Sequence, residues 1–124
     1  MRHSVSRIVF LLLGSTAIPA VCQAQSPAAA PRPEFHAQAV RPNLYVLSGS
    51  AGNVAVWTGP TATVLVDDGT AALAPQLLEA VGRIAKSPVR FVVDTHWHPD
   101  HSGGNEALAK AGAIIVAHES VRER

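Results

Sequence analysis

Three of the six histidines in this 124-residue chain fall within one six-residue window, His96-Trp97-His98-Pro99-Asp100-His101, with an aspartate between the last two. Pro99 interrupts any helix running through the window and biases His98 toward extended geometry. The pattern is therefore distinct from the helical i, i+4 histidine pair of a His-Glu-x-x-His protease. In an extended segment His96 and His98 project to the same side and can reach one ion. A turn at Pro99 then aims Asp100 and His101 at a neighbouring position. Imidazole nitrogens and a carboxylate oxygen suit Zn²⁺, and a catalytic zinc keeps one position for water. Two adjacent ions would share a hydroxide, acidified by the metals, as the nucleophile. The alternative is a surface histidine cluster on a polar turn. The lone cysteine, Cys22, excludes a cysteine-based zinc knuckle and an intrachain disulfide framework.

The window must be held by its neighbours. Val89-Arg90-Phe91-Val92-Val93 reads as an interior strand that runs into Asp94 and the histidines. Upstream, Leu44–Leu47, Asn53–Trp57 and Thr63–Val66 are short strand runs with glycine-bearing links, which predict an antiparallel meander. Leu73, Leu77, Val81 and Ile84 recur at helical spacing, predicting an amphipathic helix over Ala72–Lys86 with Pro75 in its first turn. Downstream, Asn105 is placed to cap a short helix, Glu106–Ala111, with Gly112 as its stop. Ala113–Ala117 is a last, nearly all-apolar strand, and Ser120 with Glu123 forms a capping box that opens another helix. The alternation of strand and helix predicts an α/β fold, with helices packed on a mixed sheet.

Thr95-His96-Trp97-His98-Pro99-Asp100-His101-Ser102-Gly103-Gly104 resembles the T-H-x-H-x-D-H-x-G-G signature of the metallo-β-lactamase-fold hydrolases, and Leu65-Val66-Asp67-Asp68-Gly69 resembles that family's strand ending in Asp before Gly. The resemblance covers roughly Leu44 to Arg124 and implies the first half of an αββα sandwich. It implies two zinc ions per complete site, with His96 and His98 as ligands of the first and Asp100 and His101 of the second. Asp100 would also orient the bridging hydroxide. Asp67 and Thr95 would stand behind the ligands, where a carboxylate fixes the tautomer of a ligating histidine. His118 matches no ligand position and reads as a structural histidine at a strand end. Complete members take a further His, a bridging Asp and a last His from their second half. After His101 this chain offers Glu106, His118, Glu119 and Glu123, at spacings that fit none of these.

The N-terminal third has a different character. Arg2, His3 and Arg7 precede the apolar run Ile8–Leu13, then Pro19 and Cys22-Gln23-Ala24. The run is shorter than the ~20 residues of a membrane span and fits a secretory leader, residues 1–24, cleaved after Ala24. Residues 25–34 form a Pro/Ala-rich linker, and the folded domain is expected over residues 35–124. Removing residues 1–24 takes away Arg2 and Arg7 and no acid, leaving 8 basic against 9 acidic residues. Neither that balance nor the +1 of the whole chain supports a general affinity for nucleic acid. The expected location is periplasmic or secreted, with no membrane attachment after cleavage.

Together these features predict a zinc-dependent hydrolase in which hydroxide attacks an ester, thioester or amide/lactam bond of a small-molecule substrate. The donor shortage predicts a truncated product without appreciable turnover by itself. Strand Ala113–Ala117 and the inward face of helix Ala72–Lys86 would lose part of their cover, favouring self-association. A periplasmic metal-binding module or inactive remnant is the alternative. An amidohydrolase, suggested by the His-x-His strand end, is opposed by Asp100-His101, by Gly103-Gly104 and by the meander.

Overall fold

One six-stranded mixed sheet organises the described residues, which in this computed structural model are 35–124 apart from Ala51. The leader and linker assigned to residues 1–34 lie outside them. The strands β1 (His36–Arg41), β2 (Leu44–Gly49), β3 (Gly52–Thr58), β4 (Thr63–Val66), β5 (Val89–Asp94) and β6 (Ile114–Ala117) lie side by side in chain order. Pairing is antiparallel from β1 to β4 and parallel from β4 through β6. The expected meander and mixed sheet are both present, and β5 is interior.

β1 has no counterpart among the expected strands. Its sequence His-Ala-Gln-Ala-Val-Arg lacks apolar alternation, and all six residues are exposed. Its extended shape comes from edge pairing with β2, which no local pattern encodes.

A single-turn 3₁₀ segment, Ala71–Leu73, precedes α1 (Ala74–Ile84). The helix is shorter at both ends than Ala72–Lys86. Pro75 lies in its first turn, where its missing N–H costs nothing, and Ala85 is already extended ahead of β5. Leu77, Ala80 and Val81 pack on one face of the sheet, against Leu47, Val54, Val56, Leu65 and Val92. The inward face of α1 is thus covered, contrary to expectation. Each large side chain buried here stabilises the fold by about 1.5–3 kcal/mol.

Three short helices follow: α2 (Pro99–Ser102), α3 (Asn105–Lys110) and α4 (Glu119–Arg122). The N-cap of α3 is Gly104, and Asn105 is its first helical residue. The Asn105 amide is engaged elsewhere, donating to Asp94 Oδ2 at 2.7 Å. Gly112, at φ +99°, ends this segment as expected from a left-handed stop. The cap of α4 is His118, whose Nδ1 accepts from the Ser120 N–H at 3.2 Å, so Ser120 sits inside the helix instead of opening it.

The other face of the sheet carries two cross-strand rows. Register places Leu44, Trp57, Val64, Phe91 and Ile114 in one, and Val46, Ala55, Val66, Val93 and Val116 in the other. No described element covers them. Among the described residues, no helix is long and apolar enough to cross a membrane.

Candidate metal centre

The C-terminal ends of the parallel strands β4 and β5 lie together, and their two loops build the site. The Asp67 N–H donates to the Val93 carbonyl at 2.9 Å, extending the ladder one residue past β4. There the chain turns sharply: Asp67 has φ +64°, a left-handed conformation uncommon for any residue other than glycine. That turn directs its buried carboxylate at the loop after β5. Asp67 Oδ1 accepts the Thr95 backbone N–H at 2.8 Å and the Thr95 hydroxyl at 2.9 Å. Its Oδ2 accepts from His101 Nδ1 at 2.8 Å.

These bonds favour one arrangement of protons. The single Thr95 hydroxyl proton goes to Asp67, so at 2.9 Å Thr95 Oγ1 accepts from His96 Nδ1–H. His96 Nε2 then faces His98 Nδ1. His101 meets Asp67 through Nδ1 and turns Nε2 toward Asp100. Burial by itself would raise the Asp67 pKa, but the hydrogen bonds from His101 and Thr95 outweigh it and hold the group below its ordinary value. The same bond to Asp67 raises the pKa of His101.

The four expected ligands come together as two pairs. His96 Nε2 lies 3.2 Å from His98 Nδ1, and His101 Nε2 lies 3.2 Å from Asp100 Oδ2. Two ligands on a tetrahedral zinc with bonds of ~2.0–2.1 Å stand about 3.3 Å apart, so both pairs fit one ion each. The pairs adjoin, with the His96 and His101 ring centroids 4.0 Å apart. Among the described residues, no three His, Cys, Asp or Glu side chains group around a single ion position. His118 is remote in role, its ring engaged with Ser120 at the start of α4. Glu106 pairs with Lys110 and Glu119 with Arg122. A hollow of about 550 Å³ between β6 and α4 is lined by Asp94, Asn105 and Arg122 among others and includes none of the four donors.

Two acidic residues beneath the site were not anticipated as part of it. Asp68 is fully buried; its Oδ1 accepts the Gly104 N–H at 2.9 Å, and its own N–H donates to the His101 carbonyl at 2.8 Å. Burial pushes the Asp68 carboxyl up to about 7; the Gly104 bond opposes this, and the neighbouring charges of Asp94 and Asp67 add to it. Burial also raises Asp94, against the opposing bond from Asn105. The signal available was the second aspartate of Asp67-Asp68-Gly69 facing Gly103-Gly104 in the motif. Both motif glycines are packing requirements. A Cβ at Gly103 would lie 2.3 Å from the Pro99 carbonyl oxygen, and one at Gly104 2.7 Å from that of Asp68. No side chain fits between the two loops.

With this geometry in hand, comparison with known proteins is specific. The profile described as the Metallo-beta-lactamase superfamily matches residues 47–124. A hydroxyacylglutathione hydrolase from Erythrobacter litoralis (strain HTCC2594) is 42% identical over 36 residues, covering 28% of this chain and 14% of that protein. Among solved structures, a metallo-beta-lactamase from Erythrobacter litoralis with beta-mercaptoethanol in its active site is 25% identical with a TM-score of 0.64, over 73% of this chain and 44% of that one. A HARLDQ-motif mutant of the Cronobacter sakazakii metallo-beta-lactamase is 25% identical with a TM-score of 0.63, over 70% of this chain and 36% of that one. A Pseudomonas aeruginosa metallo-beta-lactamase in a mono-zinc form shares the fold at 22% identity and a TM-score of 0.63, over 73% of this chain and 44% of that one. The chain thus spans less than half the length of the relatives it matches.

Proposed function

The chain belongs to the metallo-beta-lactamase superfamily of hydrolases, and from that premise we propose that it carries the His-x-His-x-Asp-His part of a zinc-dependent hydrolase centre. The observation that supports this best is the pair of 3.2 Å donor separations, His96 with His98 and Asp100 with His101, set behind by one buried carboxylate. His96 Nε2 and His98 Nδ1 would hold one zinc, and His101 Nε2 and Asp100 Oδ2 the other. Bound zinc supplies an acidified water as the nucleophile for an ester, thioester or amide/lactam carbonyl of a small-molecule substrate. Asp100, which is exposed and whose Oδ2 lies beside His101 Nε2, is the proposed catalytic carboxylate and would orient the nucleophile. Asp67 and Thr95 would act through the histidines, holding the His101 and His96 rings by their Nδ1 atoms so that Nε2 faces the ion.

Each pair supplies two donors where a catalytic zinc takes three from protein. Turnover therefore requires donors beyond the four named here. This favours a second reading, a metal-binding module that takes up zinc without hydrolysis, supported by the absence of a three-donor group among the described residues. Export, with processing after Ala24 and a periplasmic or secreted location, is part of the proposal and rests on Arg2, Arg7 and the Ile8–Leu13 run. Equilibrium dialysis against zinc tests the core of it. The chain should take up zinc and a His96→Ala/His98→Ala variant should take up markedly less; equal uptake would overturn the assignment. Turnover of a chromogenic cephalosporin or a thioester, lost in Asp100→Ala, separates the hydrolase from the binding module.

A further inference from the structure

All four donors of the metal centre lie in one segment, Thr95–Gly104, between the end of β5 at Asp94 and the start of α3 at Asn105. The two residues that bracket this segment are joined to each other: Asn105 Nδ2 donates to Asp94 Oδ2 at 2.7 Å. Among the described residues this is the only side-chain hydrogen bond that either makes, since Asp94 Oδ1 and Asn105 Oδ1 are buried without a protein partner. Both residues stand on anchored elements. Asp94 is 5% exposed and pairs in the ladder with Ala117 of β6. Asn105 opens α3, which the fully buried Leu108 ties into the core. We propose that Asp94 and Asn105 are positioning residues, a buried clasp that sets the span of the donor-bearing loop and so the placement of one donor pair against the other, a role that rests on the zinc-centre reading above.

The other polar contacts of the loop reach outward to residues 67–69. Thr95 and His101 hang on the Asp67 carboxylate, the His101 carbonyl accepts the Asp68 N–H, and Gly103 and Gly104 donate to Gly69 and Asp68. Those bonds fix where the loop lies against its neighbour, and Asp67 aims two of the rings. None of them is a hydrogen bond between β5 and α3. The polar link across the base of the loop is the Asp94–Asn105 bond, and a bond to a carboxylate is both directional and stronger than one between neutral groups. Within each donor pair the residues are close in sequence. His96 and His98 follow directly from β5, whereas Asp100 and His101 lead into α3. The base of the loop therefore governs how the pairs meet, which shows as the 4.0 Å between the His96 and His101 ring centroids. Stability alone is a poor account of the clasp. A buried polar bond with an unpartnered oxygen on each side adds less to stability than apolar packing of the same volume would. What it supplies is direction and distance.

Titration of the full chain with cobalt(II), followed by the visible absorption of the bound ion, tests this. Asp94→Ala and Asn105→Ala should each weaken cobalt binding about ten-fold and shift the absorption band, which reports ligand geometry. Asp94→Asn keeps an acceptor for the Asn105 amide and should stay close to the wild type in affinity and spectrum. The double variant Asp94→Ala/Asn105→Ala should bind no more weakly than either single variant, because the one bond between them is lost only once. Far-ultraviolet circular dichroism identifies a variant that has lost its fold, and Asn105→Ser then takes its place. Alanine variants with wild-type affinity and spectrum overturn the clasp. So do losses that add in the double variant, or a loss in Asp94→Asn as large as that in Asp94→Ala. A wild type that takes up no cobalt, or as much as His96→Ala/His98→Ala does, overturns the metal centre itself and with it the role of the clasp.

Discussion

Val92 and Val93 are neighbours in β5, yet Val92 is fully buried and Val93 is 36% exposed. The same contrast separates Leu65, fully buried, from Val66 at 37%, and it holds across the sheet: one face carries α1 and α3, and the other carries nothing among the described residues. Residue types on the two faces barely differ. Hydrophobicity states that a side chain should leave water, whereas the element that covers it is a property of topology. The loop that carries His96, His98, Asp100 and His101 grows from the C-terminal end of β5 in this same sheet.

The largest expected effect breaks the comparison most directly. Leu65→Ala should lower the unfolding free energy by about 2–5 kcal/mol, because it leaves a cavity under α1. Urea denaturation of this variant beside Val66→Ala gives the contrast, and comparable losses in the two would show that both faces are packed within one chain. At the sheet's end, Thr95→Val removes the donor to Asp67 and the acceptor for His96 Nδ1. Zinc affinity should fall by about 10- to 100-fold, and Thr95→Ser should restore most of it, as measured by competition with a chromogenic chelator.

The covered side also carries a pH dependence. Asp68 titrates near 7 in the folded chain and near the ordinary carboxylate value when unfolded, so folding favours its neutral form. The resulting stabilisation is fully present below about pH 4 and is lost as the pH rises through about 7. Asp68→Asn keeps an acceptor for the Gly104 N–H and removes the ionisation. Thermal unfolding of the metal-free chain between pH 5 and 8 should therefore slope downward in the wild type and less so in the variant. An identical slope in both would assign the pH dependence to other groups. The smallest effect belongs to the open face, where Val66→Ala should shift the stability of the monomer by under about 1 kcal/mol.

Much of this was legible in the residues themselves. α1 carries a helical period, β2 to β6 are short β-rich runs bounded by turn residues, and His96, His98, Asp100 and His101 announce a site because four donors in six residues is dense by any composition. What escaped was whatever depends on a distant partner. β1 has no pattern of its own and is extended because β2 is beside it. Asn105 has the side chain of a cap but lies within reach of Asp94, and that buried carboxylate takes its amide. Asp68 looks like a polar turn residue until the Gly103-Gly104 loop folds over it and closes it from water. Local propensity is a weak prior wherever a buried polar group demands a specific neighbour.

The bond from His101 to Asp67 spans 34 residues. Those residues include the whole of α1 and β5, so the carboxylate reaches the histidine only after the helix has crossed over and β5 has aligned beside β4. The donors themselves are local and exist as soon as the loop is made, whereas their orientation is a long-range contact whose loop-closure entropy must first be met. The proposed metal centre is therefore expected to gain its geometry late in folding. Stopped-flow zinc uptake during refolding should then keep pace with β4–β5 pairing and not with helix formation; uptake that keeps pace with the helix would overturn this order.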